Sequence, residues 1–529
     1  MKRSGIPILI LGYGLLSAVF YCSLLPLWEG FDELYHYGYV QHLSVTGTFP
    51  VIGTTTLSRE LWTSIDYAPV SHYLQPYLAR PSTSFQDYFR LPEEERAARR
   101  RGLEAIPRAL AGESSPRANY EVKQAPATYV LLALFDRLLS STPLPWRVLA
   151  LRLLLAIPSM ILLWTGARGL ARRLGLPSEM EAAALFLIFS CQMLYGTACH
   201  VANDALLIPW LVIFLNAAID SWASPGRRRI AAAAILMALG VLLKASALIF
   251  LPLVFAGPLA ILVRRKGGLL EAAKLAAVTV GILIGVAGPW YLRNVMLYHN
   301  VTATLDTTTG VGAAELWRAA VALPWLDSIT YMAHAALWTG NSSFTNFSAH
   351  TLDVVLALLA LVAAMYCLRF RRSAAEAITL VAIVLYCIEM AGITLSFFHS
   401  SKGAVNAAMP WYMQILLAPV VLLCLAGLAR WGRWARWLAV ALVLLWGYVA
   451  AATWVAKLVP LYGGFDDPHA RPRQLIAWYF GDAAQRDSIL RYLSPGPLPL
   501  LYVLFFAVLC TLAIAAAVVV RKSLSSARP

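Results

Sequence analysis

The chain has 529 residues, 59% hydrophobic and only 13% charged, and a soluble core of that size cannot hide so much apolar surface without splitting into domains with charged surfaces. A formal net charge of +15 would suit nucleic acid, but Lys and Arg gather in small clusters at the ends of apolar runs, which excludes that partner and fits the positive-inside rule. The seven cysteines lie in or beside apolar segments without paired spacing, so neither a disulfide framework nor a zinc site is expected.

These features predict an all-α polytopic membrane protein. The N-terminus, Met1-Lys2-Arg3 and then an apolar stretch longer than a signal-peptide core, carries no small-residue cleavage site and reads as a retained first helix starting in the cytoplasm. Basic clusters follow at Arg168, Arg172 and Arg173, at Arg227 to Arg229, and at Arg264 to Lys266. Three more lie at Arg369, Arg371 and Arg372, at Arg430, Arg433 and Arg436, and at Arg521 and Lys522. With every cluster in the cytoplasm, parity gives about 12 transmembrane spans: 6–27, 146–167, 180–199, 205–223, 230–244, 245–262, 272–291, 350–368, 375–397, 405–428, 434–455 and 498–520. The stretch 125–140 is apolar but only about 16 residues long, and is expected to lie along or dip into the membrane rather than cross it.

Three long outer segments result, 28–145, 292–349 and 456–497, with juxtamembrane helices expected in them; Trp317, Trp325 and Trp338 mark the second as interfacial. The first opens on the adjacent acids Asp32 and Glu33, followed by Tyr35. Two readings stand: acids stabilising a helix N-terminus against its dipole, or a general base beside a membrane-embedded donor. At the far end of the same segment, Tyr120-Glu121-Val122-Lys123-Gln124-Ala125-Pro126 sets an acid and a base where the chain re-enters the membrane, which neutralisation and proline capping alone could explain. His200 with Asn203 and Asp204, then Lys244, Arg293, and His399 with Lys402 fall at outer helix ends. Each alone suits snorkelling or capping. Together they place cations and acids at one level, where cations could hold a lipid phosphate and a carboxylate could deprotonate a hydroxyl.

On these motifs the chain resembles the GT-C glycosyltransferases related to protein O-mannosyltransferases and lipid A aminoarabinose transferases, over roughly residues 6–420. Asp32-Glu33 looks like that superfamily's first-loop acidic motif, and the stretch from Tyr120 to Pro126 is similar to its Glu-x-Gln-Pro-Pro or Phe-Glu-Lys-Pro-Pro motif. Ala125 replaces the first proline of that pair, and Pro410-Trp411-Tyr412 stands where many relatives carry Gly-Arg-Tyr, so an expected phosphate-binding arginine is missing and Lys402 or His399 is the substitute.

The resemblance implies a polyprenyl-phosphate-sugar donor and a lipid, polysaccharide or protein hydroxyl as acceptor, used on the extracytoplasmic face of a bacterial inner membrane. It implies Asp32 as base, with Glu33 and Glu121 orienting the sugar, the acceptor or a divalent metal ion. Lys123, Lys244, Arg293, Lys402 and His399 would then bind phosphate, and Tyr35, Gln124, His200, Asn203 and Asp204 would support the site. Metal use stays open, since Glu121, Asp204, His200 and His399 show no diagnostic spacing. A lipid flippase, or a polysaccharide polymerase or ligase, is the alternative; the first should show repeat symmetry, and none is visible.

Overall fold

The computed structural model describes residues 5–264, 267–303, 312–335, 347–371, 373–465, 467, 471–481 and 483–525, so Lys266, Trp338 and Arg372 lie outside it. Among the described residues ten helices are long and apolar enough to cross a membrane, and Ser178–Ser190 with Gln192–Ala198, bent by 56°, is an eleventh if the pair is one broken span rather than a re-entrant loop. The twelfth expected span corresponds to helix Arg227–Leu243, whose 17 residues stand at the short end for a crossing. The fold is therefore all-α and polytopic. The stretch after Pro126 forms helix Ala127–Leu138, and 12 residues cannot cross.

A two-stranded antiparallel ribbon, Thr56–Ser58 with Ser114–Ala118, is an addition that hydropathy did not predict. It joins two interior stretches of the segment 28–145, pairing Thr56 with Ala118, so the residues after Ala118 are delivered to helix Glu33–Thr46. That approach needs a glycine. A Cβ at Gly38 would come within 2.8 Å of Leu57 and 2.9 Å of Asn119.

The basic ends of the spans are tied to neighbouring helices. Arg173 pairs with Asp220, Arg264 donates to the Trp222 carbonyl at 2.8 Å, and Lys522 to the Ser178 carbonyl at 2.8 Å. Arg430 pairs with Glu376 and reaches the Arg369 carbonyl. In helix Asp204–Ala223, Asp220 stands near one end and Asp204 starts the opposite one. Its 20 residues are about 30 Å long, the thickness of a hydrocarbon core.

Candidate active site

The site starts where the first span, Gly5–Leu24, gives way to irregular chain. Arg152, fully buried, donates to the carbonyls of Leu25 (2.6 Å) and Pro26 (2.8 Å), so these backbone acceptors are satisfied away from water. Gly30 then presses on His200, where a Cβ would lie 2.3 Å from the histidine Cβ, and Phe31 stacks on Trp411 with ring centres 4.1 Å apart. Asp32 follows in the left-handed region (φ 57°), unusual for a residue with a side chain and characteristic of positions where the surroundings over-determine the backbone.

Asp32 occupies the N-cap position of helix Glu33–Thr46, yet its side chain makes no capping bond. Instead it accepts a 2.5 Å hydrogen bond from the Tyr120 hydroxyl. Burial and the nearby Glu121 carboxylate push its pKa up to about 7, against the opposing pull of that hydroxyl and of Lys244. Tyr120 and Glu121 belong to one turn of 3₁₀ helix, Tyr120–Lys123, whose start is fixed by Asn119: its side chain accepts from the Glu121 N–H at 3.0 Å and donates to the Tyr35 carbonyl at 2.9 Å. Tyr35 packs on Tyr120 with ring centres 4.1 Å apart and donates to the Tyr77 carbonyl at 3.1 Å, so it holds the tyrosine that holds Asp32.

The Glu121 carboxylate is buried and accepts from Gln124 at 2.6 Å, and Gln124 in turn accepts from Asn203 at 3.1 Å. Burial raises the Glu121 pKa, with Lys123 opposing. His36 lies 3.9 Å from Glu121, but burial pushes its pKa down to about 3, so the contact is not an ion pair near neutrality. Its Nδ1 is 2.8 Å from the Tyr129 hydroxyl. Across the site Lys244 sits in extended backbone just after helix Arg227–Leu243, its ammonium 2.7 and 2.9 Å from the Asp204 oxygens and 4.4 Å from the Tyr412 ring centre.

A cavity of about 490 Å³ adjoins this group, lined by Lys123, Gln124, Lys244, Ser246, Glu389 and Tyr412 among others. A second, of about 320 Å³, is lined by Tyr73, Tyr331, Trp411 and the chain from Ala404 to Pro410. Trp411 and Tyr412 thus face different cavities, and Phe31, next to Asp32, stacks on the first of them.

Five expected residues take other places. Glu33 is fully buried with one oxygen 2.7 Å from Arg152 Nε and 2.9 Å from the Val201 N–H, the other paired with the same guanidinium. Burial would raise its pKa, but Arg152 outweighs this and holds it low, so Glu33 is an anion committed to Arg152 and the Val201 N–H. Arg293 stacks 4.9 Å from the Trp290 ring and donates to the Pro50 carbonyl at 2.8 Å, fastening an outer turn instead of lining the cavity. His399 and Lys402 line a separate hollow of about 430 Å³ with Glu315 and Arg318. His200 is buried with Nδ1 3.1 Å from the Gly196 carbonyl, a wedge beneath Gly30 whose pKa burial lowers.

Among the described residues no three His, Cys, Asp or Glu side chains are placed to hold a metal ion, and Asp204 is already engaged by Lys244, so this donor set does not fit one. Two participants escaped the sequence. Arg117, from the ribbon, donates to the Tyr35 hydroxyl at 3.3 Å; Glu389 hides in the apolar helix Ala374–Ser400. An acid inside a span was the one signal for the latter.

No family model and no curated protein matches the chain. Among solved structures it is similar to ArnT from Cupriavidus metallidurans bound to undecaprenyl phosphate, at 12% identity and TM-score 0.46, over 98% of this chain and 78% of that one. It is also similar to the Archaeoglobus fulgidus oligosaccharyltransferase in complex with Zn and sulfate, at 13% identity and TM-score 0.38, over 92% of this chain and 62% of that one. At TM-scores below 0.5 neither likeness carries weight for function, which the side chains have to supply.

Proposed function

We propose that the chain is a membrane glycosyltransferase of the GT-C type, moving a monosaccharide from a polyprenyl-phosphate donor to a hydroxyl acceptor on the extracytoplasmic face of a bacterial inner membrane. The observation that carries the reading is Asp32: a carboxyl in left-handed backbone that makes no capping bond, accepts from Tyr120 instead, is poised near neutrality, and feels the charge of Lys244, which lines the cavity with Lys123. A structural N-cap would bond its own helix and keep an ordinary carboxylate pKa. A general base needs the opposite on both counts.

In the reaction so read, the donor phosphate lies against Lys123 and Lys244, and the acceptor approaches from the side of Tyr73 and Trp411. The Asp32 carboxylate takes the acceptor proton as that oxygen bonds to the anomeric carbon. The bond from that carbon to the phosphate oxygen breaks on the opposite face, and the lipid phosphate leaves with the electron pair, so configuration inverts. The lysines offset the charge gathering on the leaving phosphate. Glu121, fixed by Gln124 and Asn119, orients the sugar.

Asp32→Asn tests this, because asparagine keeps the size and capping ability but cannot accept a proton. With purified protein in nanodiscs and a polyprenyl-phosphate sugar, turnover is expected to fall by about 10² to 10⁴ while donor affinity holds. Near-normal turnover would remove Asp32 from the chemistry and leave the flippase reading in its place.

A further inference from the structure

Glu389 lies about three helical turns inside the Ser400 end of its span, at a depth where a carboxyl is costly unless something answers it. Its Oε2 is buried and has no hydrogen-bond partner among the described residues. The Ser246 hydroxyl, on the short 3₁₀ helix Ala245–Phe250, is buried and equally without one. Both line the 490 Å³ cavity that also holds Lys123, Lys244 and Gln124. Buried polar atoms left unanswered cost stability, and two of them on one cavity wall point to a ligand that completes them.

The chemistry of that ligand follows from the charges. A carboxylate repels a phosphate, whose place is with the lysines, and calls for a hydrogen-bond donor; a serine hydroxyl both gives and takes. A polyhydroxylated ring joined to a phosphate meets both demands in one molecule, and a bare lipid chain meets neither. We infer that Glu389 and Ser246 read hydroxyl groups of the donor's sugar, making this wall the part of the site that selects the sugar. This rests on the cavity being the donor site.

The test separates sugar from phosphate. Wild type, Glu389→Leu and Ser246→Ala in nanodiscs are titrated with polyprenyl phosphate alone and with the same lipid carrying mannose, glucose or arabinose. Glu389→Leu is expected to weaken the sugar-bearing lipid that wild type holds tightest by roughly 10- to 100-fold, the worth of a hydrogen bond to a charged group, without weakening bare polyprenyl phosphate. Ser246→Ala should shift the same preference by roughly 3- to 10-fold. Equal losses on both lipids would make Glu389 a packing residue, and no loss on either would detach it from the ligand; both overturn the inference while leaving the donor reading intact. Wild type binding neither lipid would overturn the two together. If Glu389→Leu does not fold, the isosteric Glu389→Gln carries the same comparison, with a loss of roughly 3- to 10-fold on the sugar-bearing lipid.

Discussion

Two clusters of charge share one helix, and they are built on opposite rules. In the first, Glu60 and Asp136 are buried and saturated: Glu60 by Arg147, Gln41 and Arg108, and Asp136 by Tyr37, Ser44, Arg108 and Arg147. The pair Glu33 and Arg152 obeys the same rule. In the second, Asp32 has one hydroxyl partner in Tyr120, and Glu389 has a buried oxygen without a hydrogen-bond partner among the described residues. Helix Glu33–Thr46 serves both, with Tyr37, Gln41 and Ser44 in the closed cluster and His36 near the open one. Saturation marks scaffold; incomplete pairing beside a cavity marks chemistry.

The contrast can be broken most forcefully in the closed set. Arg152→Met leaves Glu33 buried without its cation, and removal of one member of a buried pair costs about 3–5 kcal/mol. The thermal midpoint in detergent should drop steeply, whereas Asp32→Asn should leave it near wild type; similar midpoints would erase the distinction. Lys123→Ala is the next step down. It should weaken binding of a polyprenyl-phosphate sugar by about 10- to 100-fold with the fold intact, as expected for loss of a charge-assisted contact to phosphate. Unchanged affinity would confine Lys123 to offsetting Glu121.

The smallest effect is in pH. A base works as its carboxylate, so with Asp32 near 7 the rate should climb as pH rises through about 7 and stand about tenfold below its plateau at pH 6. The Tyr120 hydroxyl favours the charged form of Asp32, so Tyr120→Phe should move that limb to higher pH and lower the rate a few-fold near pH 7. A limb that stays put would mean another group titrates.

Hydropathy carried the spans because apolar length is a local property, and the acidic dipeptide was visible for the same reason. What it could not carry was the separation of Asp32 from Glu33. Adjacent residues on a helix point about 100° apart, and the partner that claims Glu33 lies 119 positions further along the chain. Likewise His399 and Lys402 stand at a helix end, as the sequence predicts, and Arg293 more than a turn inside one, but depth says nothing of position around the bundle, and they belong to other surfaces. Glu389 went unread because the apolar residues on either side make its helix look like any span. In the sequence Tyr120 is only the start of a motif, and it is the ribbon that brings it to Asp32.

The Arg152 guanidinium also sets an order of events during synthesis. It belongs to the second long apolar helix, Leu144–Arg173, and every acceptor it uses, from the Cys22 carbonyl to Glu33, was made more than a hundred residues earlier. Helix Leu144–Arg173 therefore enters the bilayer carrying a charge whose hydrogen-bond partners among the described residues lie at, or just past, the end of the helix already there, and the first two spans should mature as a unit. Chains halted after Arg173 are expected to resist protease in membranes, and chains halted after Pro143 to be cut near the end of the first span. The active-site turn, in this view, is closed by the arrival of the second span and not by the folding of its own segment.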